Sequence, residues 1–538
     1  MAKPKLALIP AAQGDKFYSV LPSDGVGDFD FTRNSSATRI APTGFIQEVG
    51  AFGSELVTNG NFDNNSDWSL GSGWSISGGN AVGVTASGNL QQNIGVIASK
   101  QYKLTFNVTA YTSGSLSVDL GGSSAQTTSG VGLKTFNFTT TSTGNLRFYG
   151  GSFSGSIDNV SVIEIIGNKS RLNYDLLNGK VVNCPHYLLE PARTNLFSYS
   201  EDFNSGSPNW VLYGGATVTS NNAISPDGTL NADKLSNQGG IYSQRVYNPN
   251  IDYVFSLFIK KNTATGLHMN FVDQASGYLG GTIIYTYSSG AIQITQSANS
   301  SVSAKSVDYG NGWIRLIMKF TTNVAQNYNY QAIESIGGDS LIWGAMLEQG
   351  SYPTSYIPTN GTTITRAAET ANGSGDAATF NSTEGVLMAE ISALANDITT
   401  RKISLSDGSS SNALYIGYIT TSNSVRGYIS SAGSSAVKDI VIDITTFNKI
   451  SIKYQNNGTG AFWVNGFNMG SINSGASFNA SLSSLQFQRE QLGTPESFYG
   501  NTREVQYFDS ALTDAQLETL TSWTSLQEMI TSQLYTNY

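Results

Sequence analysis

The chain has 538 residues, 57 of them glycine and one cysteine, with 12% charged and 11% aromatic residues and a formal net charge of −9. That length exceeds what one hydrophobic core can serve, so several domains are expected, and the aromatic content excludes a disordered chain. The acidic balance, with no Lys/Arg run, excludes a nucleic-acid-binding footprint, and the single Cys184 excludes an intramolecular disulfide. Ser, Thr, Asn and Gly carry the polar load, which favours turns and short strands over long helices. The start, MAKPKLALIPAAQGDKFY, lacks an apolar core of signal-peptide length, and no segment approaches the apolar length of a membrane-spanning helix, so no membrane insertion is expected.

In chain order, residues 1–51 alternate short apolar pieces such as Leu6-Ala7-Leu8-Ile9 with turn clusters such as Pro22-Ser23-Asp24-Gly25. They read as an arm or small β framework that continues at 168–194, where Asn178-Gly179 marks a two-residue hairpin turn. Residues 52–167 form a module of alternating strands. Tyr102, Leu104, Phe106 and Val108 share one face, and Leu116, Val118 and Leu120, Phe136 and Phe138, and Leu146 and Phe148 repeat the pattern. Many short strands between Gly/Ser turns predict a β-sandwich. The opening NGNF…W and the closing IDNVSV resemble carbohydrate-binding modules of jelly-roll type.

Residues 195–360 repeat the plan, from NLFSYSEDFNSGSPNW to SLIWGAMLEQGSYPTSYIPT, and read as a divergent internal duplication. Its strands Trp313 to Phe320 and Tyr253 to Ile259 are apolar on nearly both sides, which predicts that both faces are covered. Residues 361–538 contain further strand candidates, and FWVNGF and YFDSALTDAQLETL resemble the end of concanavalin A/laminin-G-like sandwiches. Thr513-Asp514-Ala515-Gln516 fits a capping box, and Leu517, Leu520, Leu526, Ile530 and Leu534 make one apolar stripe on the helix it would start. The predicted fold class is therefore all-β: a multi-domain chain of antiparallel β-sandwiches, jelly-roll and concanavalin-like, with a short C-terminal helix.

Catalytic chemistry finds little support. The two histidines, His186 and His268, stand apart from any metal-spaced partner, and adjacent residues in the extended Cys184-Pro185-His186 cannot form a dyad. No nucleophile elbow, phosphate loop or HExxH motif is present. Glu201-Asp202, Asp28/Asp30 and Glu490/Glu504 are the densest acid pairs. They suit loop ordering better than glycoside hydrolysis. A structural calcium stays open at Glu201-Asp202, no other cofactor is expected, and no motif fixes any metal ligand.

A binding face is more promising. If the apolar residues of 52–167 point inward, alternation sends Asn107, Asp119, Arg147 and Tyr149 outward, with Tyr111 near a strand end. An aromatic ring beside amide, carboxylate and guanidinium groups is what a sugar needs, for its C–H face and its hydroxyls respectively. Trp74 and Trp68 lie in the opening loops, where Trp74 is expected to offer a stacking ring. The glycan-contact set is thus Tyr149, Arg147, Asp119, Asn107, Tyr111 and Trp74.

Two distant segments, FDFTRNSSATRIAPTGFIQEV (29–49) and SRLNYDLLNGKVVNCPHYLLEPARTNLFSYSEDF (170–203), together resemble the amino-terminal region of bacteriophage virion proteins of the fibre and head- or tail-decorating type. In that family the first run leads almost at once into the second; here about 120 residues separate them. The resemblance implies that 52–167 is an insertion into a framework that anchors to other virion proteins of capsid or tail. It also implies a homo-oligomer, a trimer by preference, and a virion location after assembly in the bacterial cytoplasm. The expected function is non-enzymatic adhesion to host or environmental glycans. A tailspike-like glycan-degrading enzyme and a purely architectural decoration are the alternatives.

Overall fold

The computed structural model describes residues 3–11, 14–167, 169–182, 185–204, 206, 209–237, 239–273, 278–298, 300–322, 329–491 and 494–523. Among these residues every paired strand is antiparallel, and one short helix, Asp514–Thr521, follows the last strand. The fold class expected from alternation and turn chemistry is the one found. Cys184, Leu526, Ile530 and Leu534 lie outside the described residues.

The C-terminal sandwich is built on Glu384–Ala393, Asn448–Gln455, Gly460–Val464, Phe467–Ser471 and Gly500–Phe508, facing a second sheet of Arg401–Ser406, Ala413–Tyr418, Ser424–Ser431, Ser434–Val441 and Ser484–Gln486. Its first sheet does not stop at its own residues. Leu6–Leu8 pairs with Gly500–Phe508, Leu6 standing opposite Tyr507, and His186–Leu189 pairs with the same strand, Tyr187 opposite Thr502. Leu6, Leu8, Phe17, Phe29, Tyr187 and Leu189 share one core with Leu387, Leu405, Ile416 and Val505. The Phe17 and Tyr187 rings stack at 3.9 Å. Both framework segments therefore belong to the C-terminal sandwich and are not a body of their own. Asn178 and Gly179 both take positive φ between Leu176–Leu177 and Lys180–Val181, the tight hairpin their dipeptide predicts.

The 51–167 module is organised by two long strands, Gln101–Leu120 and Gly144–Gly167, which pair with each other over most of their length. Four register shifts fall between Thr105 and Ser115. There both strands bend, so their two halves form facing layers, in the way bulged strands turn corners between packed sheets. Phe106 from one layer meets Phe148 from the other edge-on at 5.0 Å. Gly114 lies in the bend at φ +83, where an added Cβ would stand 2.3 Å from the Ser152 carbonyl oxygen. The module's ends leave side by side: Ala51 is the register partner of Gly167.

In the 195–360 sandwich, Asp252–Lys261, Trp313–Thr322 and Ser340–Gln349 form the middle of one sheet. Phe255, Leu257, Leu316 and Met318 face the inner core. Phe258, Trp313, Trp343 and Met346 pack on the other side, with Ile46 of the framework and with Tyr356 and Ile357. Covering on both sides explains why these strands read as apolar throughout.

Charged residues of the framework converge at the junction. Arg33 Nη1 bonds Glu369 Oε1 at 2.7 Å, Arg171 Nε reaches the same oxygen at 2.9 Å, and Glu190 Oε2 lies 2.9 Å from both Arg171 Nη2 and Arg366 Nη1. All five side chains are buried. Burial pushes the Glu190 carboxyl up, but Arg366, Arg171 and the Ser355 donors outweigh it and hold it at about 2. Burial, aided by the charges of Arg171 and Arg366, outweighs Glu369 and lowers the Arg33 guanidinium to about 10.

The helix begins as its sequence predicts. Thr513 Oγ1 accepts from the Gln516 backbone N–H, the Gln516 side chain accepts from the Thr513 N–H, and Leu517 and Leu520 are buried.

Candidate functional site

Register builds the expected face from three strands of one layer. Asn89, Tyr149 and Ser117 stand in one row, and Gln91, Arg147 and Asp119 in the next. Leu90, Val118 and Phe148 between them point into the core, so the named residues point out. The Asp119 carboxylate organises the patch. It accepts from Arg147 Nε at 2.9 Å and from Arg147 Nη2 at 2.6 Å, and the Tyr149 hydroxyl donates to the same Oδ2. The Arg147 guanidinium carbon lies 5.8 Å from the Tyr149 ring centroid.

Burial and the Asp119 carboxylate push the Tyr149 phenol up to about 12, so it stays a neutral donor. The Asp119 hydrogen bonds raise the Arg147 guanidinium further above neutrality. Asp119 is nearly buried at 7% side-chain exposure, while Arg147 is 40% exposed and keeps Nη1 free to donate. Beside it stand the solvent-facing amides of Asn89 and Gln91. The arrangement offers one ring face and one guanidinium edge, both held in place by one carboxylate, with two amides beside them. Donors and a ring face of this kind can engage the hydroxyls and C–H face of a ligand.

Three expected members fall elsewhere. Trp74 is a core residue: its indole is 7% exposed, stacks on Phe153 at 5.7 Å and donates Nε1 to the Gly88 carbonyl at 2.9 Å, so it cannot serve as a stacking ring. Trp68 is buried likewise, against Phe62 and Phe148. Asn107 lies on the other layer, because the strand folds between it and Asp119, and its outward direction is opposite to theirs. On that layer Lys103 Nζ reaches Glu48 of the framework at 2.5 Å. Tyr111 sits in the bend, 36% exposed, its hydroxyl donating to the Gly114 carbonyl at 2.9 Å.

The acid and histidine candidates are locally occupied. His186 is buried, its Nε2 3.1 Å from Asn173 Nδ2, and burial lowers its pKa. His268 Nδ1 lies 3.3 Å from Glu334 Oε2, and Glu334 also accepts from Tyr213. Glu201 accepts from Tyr356 Oη at 2.8 Å and Asn231 Nδ2 at 3.0 Å, and burial pushes its carboxyl up to about 7. Asp202 Oδ1 accepts from the Asn204 N–H at 3.1 Å. Asp28 accepts from the Ser19 N–H at 2.8 Å, and the exposed Asp30 pairs with Lys16 at 3.4 Å. Glu504 accepts from Gln506; the Glu490 side chain lies outside the described residues. Among the described residues no three His, Cys, Asp or Glu side chains gather as a metal site would require.

The sequence reading missed Asn89 and Gln91. It also passed over Lys402, Tyr415, Arg426 and Tyr428, which alternate with the core residues Ile403, Leu414 and Val425 and could have been found from that alternation.

No protein-family model matches the chain, and no curated protein matches it. Among solved structures, the CBM40 of the Ruminococcus gnavus IT-sialidase bound to alpha2,3 sialyllactose is similar at 13% identity over 26% of this chain and 84% of that one, with a TM-score of 0.24. The CBM22-1-CBM22-2 tandem domain of Paenibacillus barcinonensis Xyn10C is similar at 9% identity over 55% and 98%, with a TM-score of 0.20. The LG1-3 region of the laminin alpha2 chain gives 10% identity over 80% and 97%, with a TM-score of 0.16. Scores this low carry no argument about what this chain binds.

Proposed function

We propose that this chain is a structural protein of a bacteriophage virion, a head or tail fibre or decoration component, that adheres to glycans without altering them chemically. The observation that carries adhesion is the outward cluster of Asp119, Arg147 and Tyr149 flanked by Asn89 and Gln91, a preorganised polar and aromatic surface with no nucleophile or proton shuttle of its own. The virion role rests on the framework segments at 29–49 and 170–203. Anchoring to capsid or tail proteins, assembly as a trimer and an optional structural calcium belong to the same reading. Labelling of purified particles, sedimentation of the full chain, and sedimentation repeated with a chelator check these in turn.

Adhesion is tested with the full chain on a glycan array. Tyr149→Ala should weaken binding at least tenfold, Arg147→Ala several-fold, and Asp119→Asn about as much as Arg147→Ala, because it frees both partners from their orientation. Binding that is unchanged in all three variants rejects this surface. Release of reducing ends from a bound polysaccharide would replace adhesion with an enzymatic role.

A further inference from the structure

The C-terminal sandwich holds a cavity of about 410 Å³ on the outer face of its second sheet, within the size range of small-molecule sites. Its floor follows from register. Tyr415 stands opposite Tyr428, Gly417 lies between Lys402 and Arg426, and Arg426 faces Asp439. Gly417 lets the strands pack closely there, since an added Cβ would stand 2.4 Å from the Arg401 carbonyl oxygen and 2.8 Å from the Lys402 Cγ. The hairpin of Gln488–Gln491 and Thr494–Ser497 turns over this face and adds Arg489 and Glu496, which are register partners. Thr400, Thr420 and Thr421 supply hydroxyls at the rim.

The charges in the cavity do not balance. Lys402 is paired with Glu496, and Arg426 is bidentate to Asp439 at 2.7 Å through both Nε and Nη2. Arg489 is left over. It is 9% exposed, and its guanidinium carbon lies 4.5 Å from the Tyr428 ring centroid and 5.0 Å from that of Tyr415. Among the described residues it has no carboxylate partner: Nη2 donates to the Tyr428 hydroxyl at 3.3 Å, and the buried Nε meets no acceptor there. Burial pushes the Tyr428 phenol up, yet the Ser430 hydrogen bond and the Arg489 charge outweigh it and leave it below its ordinary value. A buried guanidinium without a counter-ion is costly to keep, and Coulomb attraction to an incoming anion is strongest where water is excluded.

We propose that this cavity binds an acidic sugar residue, its carboxylate or sulfate facing the guanidinium edge of Arg489 and its hydroxyls facing Lys402, Arg426 and the threonine rim. The choice of a saccharide rests on the adhesion reading above; the need for an anion does not.

The test is calorimetric titration of the full chain with glucuronate-, galacturonate-, sialate- and sulfate-terminated oligosaccharides and their neutral parents. At least one acidic probe should bind ten or more times tighter than its parent, with affinity falling as salt rises, and the preferred probe tells carboxylate from sulfate. Arg489→Met should abolish that preference and Arg489→Lys should keep part of it. Arg489→Met removes an unpaired buried charge, so its Tm should not fall. Thr421→Trp, on the exposed rim, should block the acidic probe without touching Arg489, and decides the matter if Arg489→Met fails to fold. The pocket is rejected if no acidic probe is preferred, if the preference survives Arg489→Met or Thr421→Trp, or if an aspartate-rich peptide binds as tightly as the best saccharide. Binding that answers to Tyr149→Ala and not to Arg489→Met rejects the pocket and leaves the module's surface standing; the reverse pattern rejects the surface and leaves the pocket.

Discussion

Asp119 shows how a single buried acceptor can set the chemistry of a surface. By holding both Arg147 and Tyr149 it fixes two long side chains that would otherwise lose rotamer entropy on meeting a ligand. A second pair of acids bears on stability. Burial pushes the carboxyls of Glu201 and Asp233 up to about 7. Each is therefore held protonated more readily in the fold than in the unfolded chain. Their contribution is complete below the unfolded pKa of an ordinary carboxyl and is lost as pH rises through about 7. Glu190 works the other way: held at about 2, it contributes above the ordinary range and is lost only as pH falls toward 2. Stability, and the Tm with it, should thus fall between pH 5 and pH 8, by on the order of 5 kcal/mol. Glu201→Gln should flatten that slope, and differential scanning calorimetry across the range checks both. At this scale the outward direction of Arg147 and Tyr149 was legible from Phe148 between them. Asn89 and Gln91 were not, because NLQQNIGV places a polar Gln92 at an inward position. There Gln92 exchanges two 2.8 Å hydrogen bonds with the Thr58 backbone, and that long-range role breaks the alternation.

The bent strand pair explains the misplacement of Asn107. Leu104, Phe106 and Val108 point inward, and so do Leu116, Val118 and Leu120. The parity is the same on both sides of the bend, so a period of two cannot tell a straight strand from one folded into two layers. Only the glycines hinted at it. Gly114→Ala meets both an unfavourable φ and the Ser152 carbonyl, and should cost about 1–3 kcal/mol. Chemical denaturation with tryptophan fluorescence, which reports Trp68 and Trp74 in this module, measures it. Elements with purely local rules were read correctly: the Asn178-Gly179 turn and the Thr513 capping box need no distant partner.

For the whole molecule, the ionic knot and the adjacent module ends carry the main consequences. Arg33, Arg171 and Glu190 all lie in the segments whose resemblance was legible, yet their meeting with Arg366 and Glu369 was not, since the Arg33–Glu369 bond closes over 336 residues. Glu369→Ala would take from Arg33 the carboxylate it meets here and leave Arg171 with Glu190 alone, at a cost of about 3–5 kcal/mol. A lowered Tm together with new protease sensitivity at the junction is the expected readout. Excision of residues 52–166 should leave the rest folded, because Ala51 and Gly167 already stand as register partners. Gly167 must remain glycine in that deletion, for it sits at φ +73 with the Arg33 carbonyl oxygen 2.3 Å from where a Cβ would be. Circular dichroism and a retained Tm for the shortened chain are the check.

The strand that Leu6–Leu8 completes, Gly500–Phe508, lies almost five hundred residues further along the chain. During synthesis Leu6–Leu8 can pair with Ser19–Leu21 at once, but it waits for its second partner while nearly five hundred residues leave the ribosome. The 51–167 module closes on itself and can fold as soon as it emerges, ahead of the framework that carries it. The order of folding thus runs opposite to the order of attachment: the inserted piece matures first, and the body that holds it is sealed only once Gly500–Phe508 has been made.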